Sequence, residues 1–357
     1  MSETSARVFL TGANGFVASH ILAKLLERGF LVTASVRSES KAREMLALNP
    51  SGEGALNFVY ISDITAEGIF DDVFLKSDYA FDYIIHTASP VDFAATDFQR
   101  DLINPAVQGT VGLLKSAHEF GGSNLKRFVY LSSAITILNS FQDMSRAGEN
   151  YTEKDWNPIT AARAIESKNP VLGYVASKKL AEEAAWRFME DKKPVFDLTT
   201  IHPTVIIGPM LQPVSGPKSV NGSNKLFVYS FMDGEYKQID SVTFPFYHHV
   251  DVRDVALAHI MALTSPQASG QRILLADELI TPQLVANIIR RNFPELRDRV
   301  PEGEPHRILP DGVNPTGWDT TKSTQILGGE DWKYTPLEVS IVDTVKDLLA
   351  REKEWQV

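Results

Sequence analysis

The chain has 357 residues, 43% hydrophobic and 22% charged, the balance of a globular protein with one large domain or two coupled lobes. A formal net charge of −10 without any basic run argues against nucleic-acid binding. No apolar stretch approaches the roughly 18 residues of a membrane span, and the polar N-terminus does not have the pattern of a signal peptide. The lack of cysteine excludes disulfides and suits a reducing compartment, so we predict a cytoplasmic protein, and we predict no metal site.

The first predicted unit is a strand, a glycine turn and a helix near the N-terminus. Residues 8–10 form a compact apolar run, and from Phe16 onward apolar residues recur with helical spacing. Gly12 permits a tight turn, Gly15 permits a pyrophosphate to approach the helix N-terminus, and Ala18 stands where a third glycine is usual. The alternative is an ordinary glycine turn, but this order of elements favours dinucleotide binding. The residues expected to contact the cofactor here are Thr11, Gly12, Asn14, Gly15, Phe16 and Val17.

The residues after the second predicted strand indicate which dinucleotide is bound. Residues 31–36 form this strand, and Arg37 and Lys41 follow it. An acidic residue at this position would hold the ribose 2′-hydroxyl of NAD, whereas an arginine suits the 2′-phosphate of NADP. We therefore predict that Arg37 and Lys41 bind NADP(H). Glu39 lies between them and weakens this interpretation, and the alternative is that both cations are solvated surface residues.

Two further predicted strands end at candidate cofactor residues. Residues 57–61 are followed by Asp63 and Ile64, a carboxylate and an apolar side chain where an adenine would lie. A helix-capping role for Asp63 is an equal alternative. Ligands of doubly wound sheets bind outside the carboxyl ends of the strands. The strand at residues 83–86 leads into three residues that we therefore expect beside the cofactor: Thr87, Ala88 and Ser89.

The fifth predicted strand and a later helix contain a second group of candidates. Residues 127–131 end at Ser132 and Ser133, although serine pairs at strand ends are often simple caps. Tyr174 and Lys178 lie four residues apart in a helical pattern and therefore on one helix face. That spacing also arises by chance, so each signal is weak when taken alone.

The second half of the chain has a less regular pattern. A sixth strand, residues 197–202, precedes Pro203, Thr204 and Val205, and residues 210–244 are irregular and rich in glycine and proline, as a substrate-specific lobe would be. The domains that we predict are a nucleotide-binding domain of residues 1–204, which also receives roughly 248–265, and a substrate lobe with C-terminal helices, mainly 205–247 and 266–357.

Motifs along nearly the whole chain resemble the extended short-chain dehydrogenase/reductase family. The nearest branch is that of plant dihydroflavonol reductases and fungal aldehyde, ketone and methylglyoxal reductases. The matching features are TGANGFVASH, the arginine after the second strand, HTASP, INPAVQGT, SSA, YVASK, HPTVIIGP, HVDVRDVALAH and DTTKS. The resemblance implies an α/β fold, a Rossmann-type doubly wound parallel sheet with a smaller C-terminal α/β substrate lobe. The long stretch between Ser133 and Tyr174 favours the fungal carbonyl reductases.

The resemblance also implies catalytic roles for Ser133, Tyr174 and Lys178. Hydride would pass from NADPH to a carbonyl carbon, Tyr174 would donate the proton, and Ser133 would hold the substrate oxygen; Ser132 is the less favoured serine. The pKa of tyrosine is near 10, and the Lys178 ammonium one helical turn away would favour the phenolate. In this family that lysine also binds the nicotinamide ribose. The residues implied at the nicotinamide carboxamide are Pro203, Thr204 and Val205.

The predicted partner is a small-molecule carbonyl substrate. Three segments are candidate walls of its pocket: Val91, Asp92 and Phe93 after Pro90; Ala134, Ile135 and Thr136 after Ser133; and residues 210–246, with Phe227, Tyr229, Phe231 and Phe244. These segments are mostly apolar and have no Arg or Lys cluster for a nucleotide-sugar diphosphate. We therefore expect hydrophobic aldehydes, keto esters and aryl ketones as substrates. The alternative for the aromatic residues is that they form the core of the lobe itself.

Two other functions are weighed against a carbonyl reductase. One is a sugar-nucleotide epimerase or dehydratase of the same family, but such enzymes usually prefer NAD, and Arg37 counts against this. The other is a non-catalytic NADP-binding regulator, which would not need the complete set of Ser133, Tyr174 and Lys178. The fold alone does not decide between these functions. We expect a monomer or a homodimer.

Overall fold

A computed structural model describes residues 6–49, 52–89, 94–141 and 148–355. The strands are β1 (Arg7–Thr11), β2 (Leu31–Val36), β3 (Leu56–Tyr60), β4 (Tyr83–His86), β5 (Arg127–Leu131), β6 (Asp197–Pro203), β7 (Val205–Ile207), β8 (His249–Asp251) and β9 (Arg272–Leu275). Seven of them form one parallel sheet in the order β3-β2-β1-β4-β5-β6-β9. Strands β7 and β8 form a separate parallel pair.

Helices connect the strands and cover both faces of the sheet. They are α1 (Phe16–Glu27), α2 (Glu39–Leu48), α3 (Asp71–Leu75), α4 (Asn104–Phe120), α5 (Ala161–Ser167), α6 (Pro170–Lys192), α7 (Gly222–Asn224), α8 (Ser230–Met232), α9 (Val252–Thr264), α10 (Pro282–Asn292), α11 (Thr321–Ile326) and α12 (Leu337–Trp355). A π-helical turn, Gln99–Ile103, precedes α4, and another, Lys225–Tyr229, joins α7 to α8.

The apolar run of β1 reflects burial on both faces of the sheet. Val8 and Leu10 pack on the side of α1, whereas Phe9 points to the opposite face and meets Phe70 edge to face at 6.4 Å. A strand covered on both faces has no polar side, which explains why the run does not alternate. The predicted fold class, a Rossmann-type doubly wound parallel sheet, is confirmed by this architecture.

The strand order reverses between β1 and β4. From β1 the chain proceeds outward to β2 and β3, and then returns to β4 on the other side of β1. Helices that follow the two halves leave on different sides, so a crevice opens at the carboxyl ends of β1 and β4. The residues that follow those ends are the ones predicted to bind the cofactor.

A second lobe contains β7, β8, α7, α8, α10 and α12. The four aromatic residues considered as pocket walls are at most 4% exposed and belong to one apolar cluster in this lobe: Phe227, Tyr229, Phe231 and Phe244. The alternative interpretation is therefore correct, and these residues form the core of the lobe. From the segment 266–357, β9 joins the main sheet beside β6. No helix in the described part of the chain is both long and apolar enough to cross a bilayer.

Candidate active site

The glycine turn between β1 and α1 forms a narrow cradle. Gly12 has φ of +69°, and a Cβ there would lie 3.2 Å from the Cα of Ala88 after β4. Gly15 is the N-cap of α1 and provides no side chain to cap it, so the first turn of the helix offers its N–H groups and positive dipole end to an anion. The predicted contact residues around this turn are Asn14 within it and Phe16 and Val17 in the first helical turn.

Thr11 joins the end of β1 to the end of β4. Its Oγ1 accepts hydrogen bonds from the backbone N–H groups of Thr87 and Ala88, both at 3.1 Å, which leaves the hydroxyl proton for Nδ1 of His86 at 2.8 Å. Burial, with the charge of Lys178, lowers the pKa of His86 to about 3. His86 is therefore neutral, and its role is to fix Thr11 and the backbone beside Gly12.

Two hydroxyl groups at the strand ends fit a polar ligand. The side-chain oxygens of Ser89 after β4 and Thr204 after β6 are buried and have no hydrogen-bond partner among the residues that the structure describes. A buried hydroxyl without a partner costs free energy, which a bound polar group would recover. Together with the glycine cradle, these atoms fit a nicotinamide dinucleotide lying across the carboxyl ends of the strands. Pro203 ends β6 and Val205 begins β7, on either side of Thr204.

The predicted phosphate-binding cations lie on the surface after β2. Arg37 is exposed and forms no ion pair within the described residues. Lys41 lies in the first turn of α2, and its ammonium contacts Glu44 at 2.8 Å. Glu39 forms no ion pair with either cation in the part of the chain that is described. The position of Arg37 directly before α2 suits a 2′-phosphate, and the assignment stays a prediction.

Asp63 and Ile64 lie in the turn after β3. The Asp63 carboxylate accepts hydrogen bonds from the backbone N–H and the hydroxyl of Thr65, at 2.8 and 2.7 Å, and these bonds lower its pKa. Asp63 therefore caps a turn, and not the helix that we weighed as the alternative. Ile64 packs against Gly109 of α4. A Cβ added at Gly109 would lie 2.7 Å from Cδ1 of Ile64. The exposed Asp63 carboxylate stays a candidate for adenosine binding.

The two serines after β5 have different surroundings. Ser132 is 3% exposed, and its hydroxyl donates to the Glu182 carboxylate of α6 at 2.6 Å. Ser133 is half-buried, and its Oγ accepts a long hydrogen bond of 3.4 Å from the backbone of Ile135 in a 3-10 turn. The structure thus supports the choice of Ser133 as the hydroxyl available to a substrate.

Tyr174 and Lys178 lie on α6, which begins at Pro170 after the N-cap Asn169. Lys178 is 4% exposed, and its ammonium donates to the carbonyl of Leu131, the last residue of β5, at 2.9 Å. Tyr174 is half-buried and packs on an apolar cluster that contains Ile135. The structure therefore brings the helix face and the end of β5 together, as the sequence predicts.

Burial shifts the pKa values of these two residues in opposite directions. It raises the pKa of Tyr174 to about 12, and stabilisation of the phenolate by Lys178 stays a prediction. Burial lowers the pKa of Lys178 to about 8, and the nearby Glu182 carboxylate opposes that shift. A protonated tyrosine is the form that can donate a proton during reduction. At neutral pH the lysine keeps its charge and can stabilise the phenolate left after the donation.

Sequence reasoning missed a buried charged group beneath the site. Glu182 is fully buried and contacts Arg272 of β9, with 2.8 Å between Oε1 and Nε. The sequence contains one signal for it: Glu182 follows Lys178 by four residues, as Lys178 follows Tyr174, so all three lie on one face of the helix. Burial raises the pKa of Glu182, but the charges and hydrogen bonds of His202 and Arg272 outweigh this effect and lower it overall.

The candidate substrate walls are described only in part. Val91, Asp92 and Phe93, with Pro90, lie outside the described residues. Ala134, Ile135 and Thr136 are buried. Phe246 is half-buried where three apolar clusters meet, that of the second lobe and two beside Ser133. Phe246, from the segment 210–246, thus packs against the serine turn as well as the lobe.

The sheet, the glycine cradle and the residues after β5 define a Rossmann-type protein with a dinucleotide-binding crevice. A family model described as the NAD dependent epimerase/dehydratase family matches residues 8–276. The chain belongs to this family, and the predicted resemblance to short-chain dehydrogenase/reductases is confirmed.

Several relatives match the chain over almost its whole length. Ketoreductase azaE of Aspergillus niger is 37% identical over 351 residues, 98% of this chain and 99% of that protein. NADPH-dependent methylglyoxal reductase GRE2 of Saccharomyces cerevisiae is 33% identical over 350 residues, 97% of this chain and 98% of that protein. The crystal structure of yeast methylglyoxal/isovaleraldehyde reductase Gre2 complexed with NADPH has a TM-score of 0.86 at 31% identity, covering 97% of this chain and 99% of that one.

Proposed function

We propose that this protein is an NADPH-dependent reductase of aldehydes and ketones. The observation that carries the proposal is the buried Lys178 ammonium, which lies one helical turn from Tyr174 and donates at 2.9 Å to the carbonyl of Leu131. Leu131 ends β5 two residues before Ser133. The named activities of the relatives, ketoreductase and NADPH-dependent methylglyoxal reductase, support the same class.

Four groups of residues would hold the cofactor. The cradle of Gly12 and Gly15 and the N-terminus of α1 would take the pyrophosphate. Arg37 and Lys41 would take the 2′-phosphate, and Asp63 and Ile64 the adenosine. At the other end, the nicotinamide nucleotide would satisfy the buried hydroxyls of Ser89 and Thr204 and contact Lys178.

The bound cofactor supplies the hydride for the carbonyl carbon. Tyr174 supplies the proton for the developing alkoxide, and its raised pKa keeps that proton in place until the substrate oxygen gains charge. The hydroxyl of Ser133 donates to the same oxygen and orients the carbonyl. The charge of Lys178 stabilises the tyrosinate that remains, because a buried cation acts strongly on a neighbouring anion.

The substrates that fit best are hydrophobic aldehydes, keto esters and aryl ketones. Phe246 and the apolar serine turn support this class, since they offer apolar surface beside the reacting group. In the second lobe, Lys225 is already paired with Asp233 and Glu235, so it does not offer a free charge to a sugar-nucleotide diphosphate. The buried aromatic residues of that lobe support its shape and do not line the pocket.

The test is a panel of carbonyl compounds assayed by NADPH absorbance. We expect oxidation of NADPH with hydrophobic aldehydes and keto esters, and much slower oxidation with NADH. Turnover of UDP-sugars without net NADPH oxidation would identify an epimerase instead. Tight NADPH binding with no turnover of any carbonyl would identify a regulatory protein.

A further inference from the structure

A buried polar network lies beneath the candidate active site. At its centre is Glu182, one helical turn after Lys178 on α6, with no exposed surface. Its carboxylate accepts hydrogen bonds from Ser132 at 2.6 Å, from Nε of Arg272 at 2.8 Å and from the indole N–H of Trp186 at 3.2 Å. Nε2 of His202 lies 3.2 Å from the same carboxylate. The charge of Glu182 is thus paired and hydrogen-bonded on several sides.

Arg272 extends the network toward the serine turn. Its second guanidinium nitrogen, Nη2, donates to Oγ1 of Thr136 at 3.1 Å. Nη1 donates to the carbonyls of Glu153 and Asp155, both at 2.7 Å, and the guanidinium stacks 3.8 Å from the ring centroid of Trp156. A single side chain from the edge strand β9 therefore ties α6, the serine turn and residues 153–156 together.

The last link reaches the backbone of Ser133. Thr136 receives the Arg272 hydrogen bond, and its own hydroxyl donates to the Ser133 carbonyl at 2.9 Å. Nδ1 of His202 lies 3.2 Å from the same carbonyl and donates to it. The same carbonyl accepts the backbone N–H of Thr136 at 3.0 Å, so the contacts through Glu182, Arg272 and Thr136 add a side-chain link to the backbone of Ser133. The side chain that would hold the substrate oxygen has no comparably strong contact of its own in the described residues.

A buried ion pair is a weak means of stabilising a fold, because desolvation offsets most of the attraction between its charges. A directional network instead restricts where each group can lie. Here both ends of the network adjoin residues of the proposed reaction: Lys178 four residues before Glu182, and Ser133 three residues before Thr136. That arrangement is what a positioning role requires.

We propose that Glu182 and Arg272 are positioning residues for the reaction, which hold Ser133 through Thr136 and act on Lys178 through the Glu182 charge. The proposal rests on the reductase function proposed above. It assigns no contact with substrate to either residue. It does assign to Thr136, which is fully buried, a role other than that of the substrate wall considered above.

The Glu182 charge also influences protonation of Lys178. Within the described residues, the titratable groups near the Lys178 ammonium are His86 on β4, Tyr130 on β5 and Glu182 on α6, and Tyr174 lies one helical turn before Lys178 on α6. His86 is neutral, and burial keeps Tyr130 and Tyr174 protonated, so Glu182 is the anion of this set. Replacing its charge removes the influence that raises the pKa of Lys178.

Two variants with matched controls test the proposal. Thr136→Val removes the link to Ser133 with little change of shape, and its control is Thr199→Val, another buried threonine, which donates to the Ala268 carbonyl away from the site. Glu182→Gln removes the charge. Its control is Asp197→Asn, which removes the charge that pairs with the buried Arg127. Asp197 begins β6 and Arg127 begins β5, so this pair lies at the ends of those strands that are remote from the site.

We expect Thr136→Val to lower kcat by about tenfold while KM for the carbonyl and Kd for NADPH change by less than about twofold. Glu182→Gln should lower kcat similarly. It should also shift the pH midpoint for acetylation of Lys178, measured by peptide mass spectrometry, downward by about half a unit or more. Lys179, which pairs with Glu183, is the internal reference in the same peptide. The two controls should lower Tm and leave kcat and the Lys178 midpoint unchanged.

Each result decides the proposal separately from the reductase function. Loss of Tm alone in Thr136→Val, with kcat as in Thr199→Val, overturns the positioning of Ser133. An unchanged Lys178 midpoint in folded Glu182→Gln overturns the action on Lys178. If Glu182→Gln does not fold, the kcat of Thr136→Val decides whether the network positions Ser133. If the wild-type protein reduces no carbonyl, the proposed function fails. The crystal structure of Thr136→Val then decides, because an unmoved Ser133 overturns the linkage and a displaced one supports it.

Discussion

The hydroxyl of Ser132 donates to the buried Glu182 carboxylate at 2.6 Å, which separates the roles of two adjacent serines. Ser132 is buried, and its side chain points into the interior of the protein after β5. Ser133 caps the following 3-10 turn through a long contact of 3.4 Å and is the more exposed of the two. Because the Ser132 hydroxyl is already occupied, Ser133 stays the serine that we predict to contact a substrate.

This difference predicts unequal effects of two alanine variants. Ser133→Ala should lower kcat by about a hundredfold, the usual effect of losing one hydrogen-bond donor to a reacting oxygen. Ser132→Ala leaves a buried carboxylate with one donor fewer and should cost about 1–3 kcal/mol of unfolding free energy. Steady-state kinetics and thermal denaturation of both variants check this. A larger loss of kcat in Ser132→Ala than in Ser133→Ala would reverse the assignment.

Removing the tyrosine hydroxyl should abolish most turnover without preventing cofactor binding. We expect Tyr174→Phe to lower kcat by about 10²–10⁴-fold, the usual contribution of a positioned proton donor. NADPH fluorescence titration should show a Kd close to that of the wild type. Lys178→Met should lower both kcat and NADPH affinity, because one ammonium serves both. Near-normal turnover by Tyr174→Phe would exclude Tyr174 as the donor.

Arg37 should determine the preference for NADPH over NADH. A charge-assisted contact with the 2′-phosphate contributes about 1.5–3 kcal/mol, which corresponds to a loss of about ten- to a hundredfold in kcat/KM for NADPH in Arg37→Ala. Activity with NADH should stay nearly unchanged. Arg43→Ala, an exposed arginine of α2, is the matched control. Equal losses with both cofactors would indicate that Arg37 supports the fold and does not bind the phosphate.

The pH dependence of reduction should follow Lys178. Its pKa is lowered to about 8 by burial, so the ammonium is present below that pH and is lost above it. Tyr174, with a pKa raised to about 12, stays protonated throughout this range, and His86, lowered to about 3, stays neutral. We therefore expect kcat at saturating NADPH to fall above about pH 8. A constant kcat up to pH 10 would show that the charge of Lys178 is not required.

Local patterns predicted the framework of the site correctly. The apolar run before Gly12 predicts a buried strand, because a strand covered on both faces has no polar side. Tyr174 and Lys178 share a helix face because four residues make about one helical turn. Such features depend on neighbours in the chain, and therefore their pattern is visible in the sequence.

Longer-range contacts decided the rest. The aromatic residues of the second lobe have the same pattern whether they line a pocket or fill a core, and only their burial in the folded lobe distinguished the two. The direction of the Tyr174 pKa shift likewise depends on desolvation, which is a property of the folded surroundings and not of the spacing to Lys178.

By itself, the amino-acid sequence determined the doubly wound fold, the glycine cradle and the Tyr174 and Lys178 pair. Only the tertiary structure revealed that Ser132 is bound to Glu182, and it alone brought Arg272 to Glu182, 90 residues apart in the chain, with 2.8 Å between Nε and Oε1. A charged residue on a helix or an edge strand normally faces water, and nothing in its neighbours indicates otherwise. Burial of the pair becomes favourable only when the folded sheet supplies the opposite charge and the hydrogen bonds that replace water.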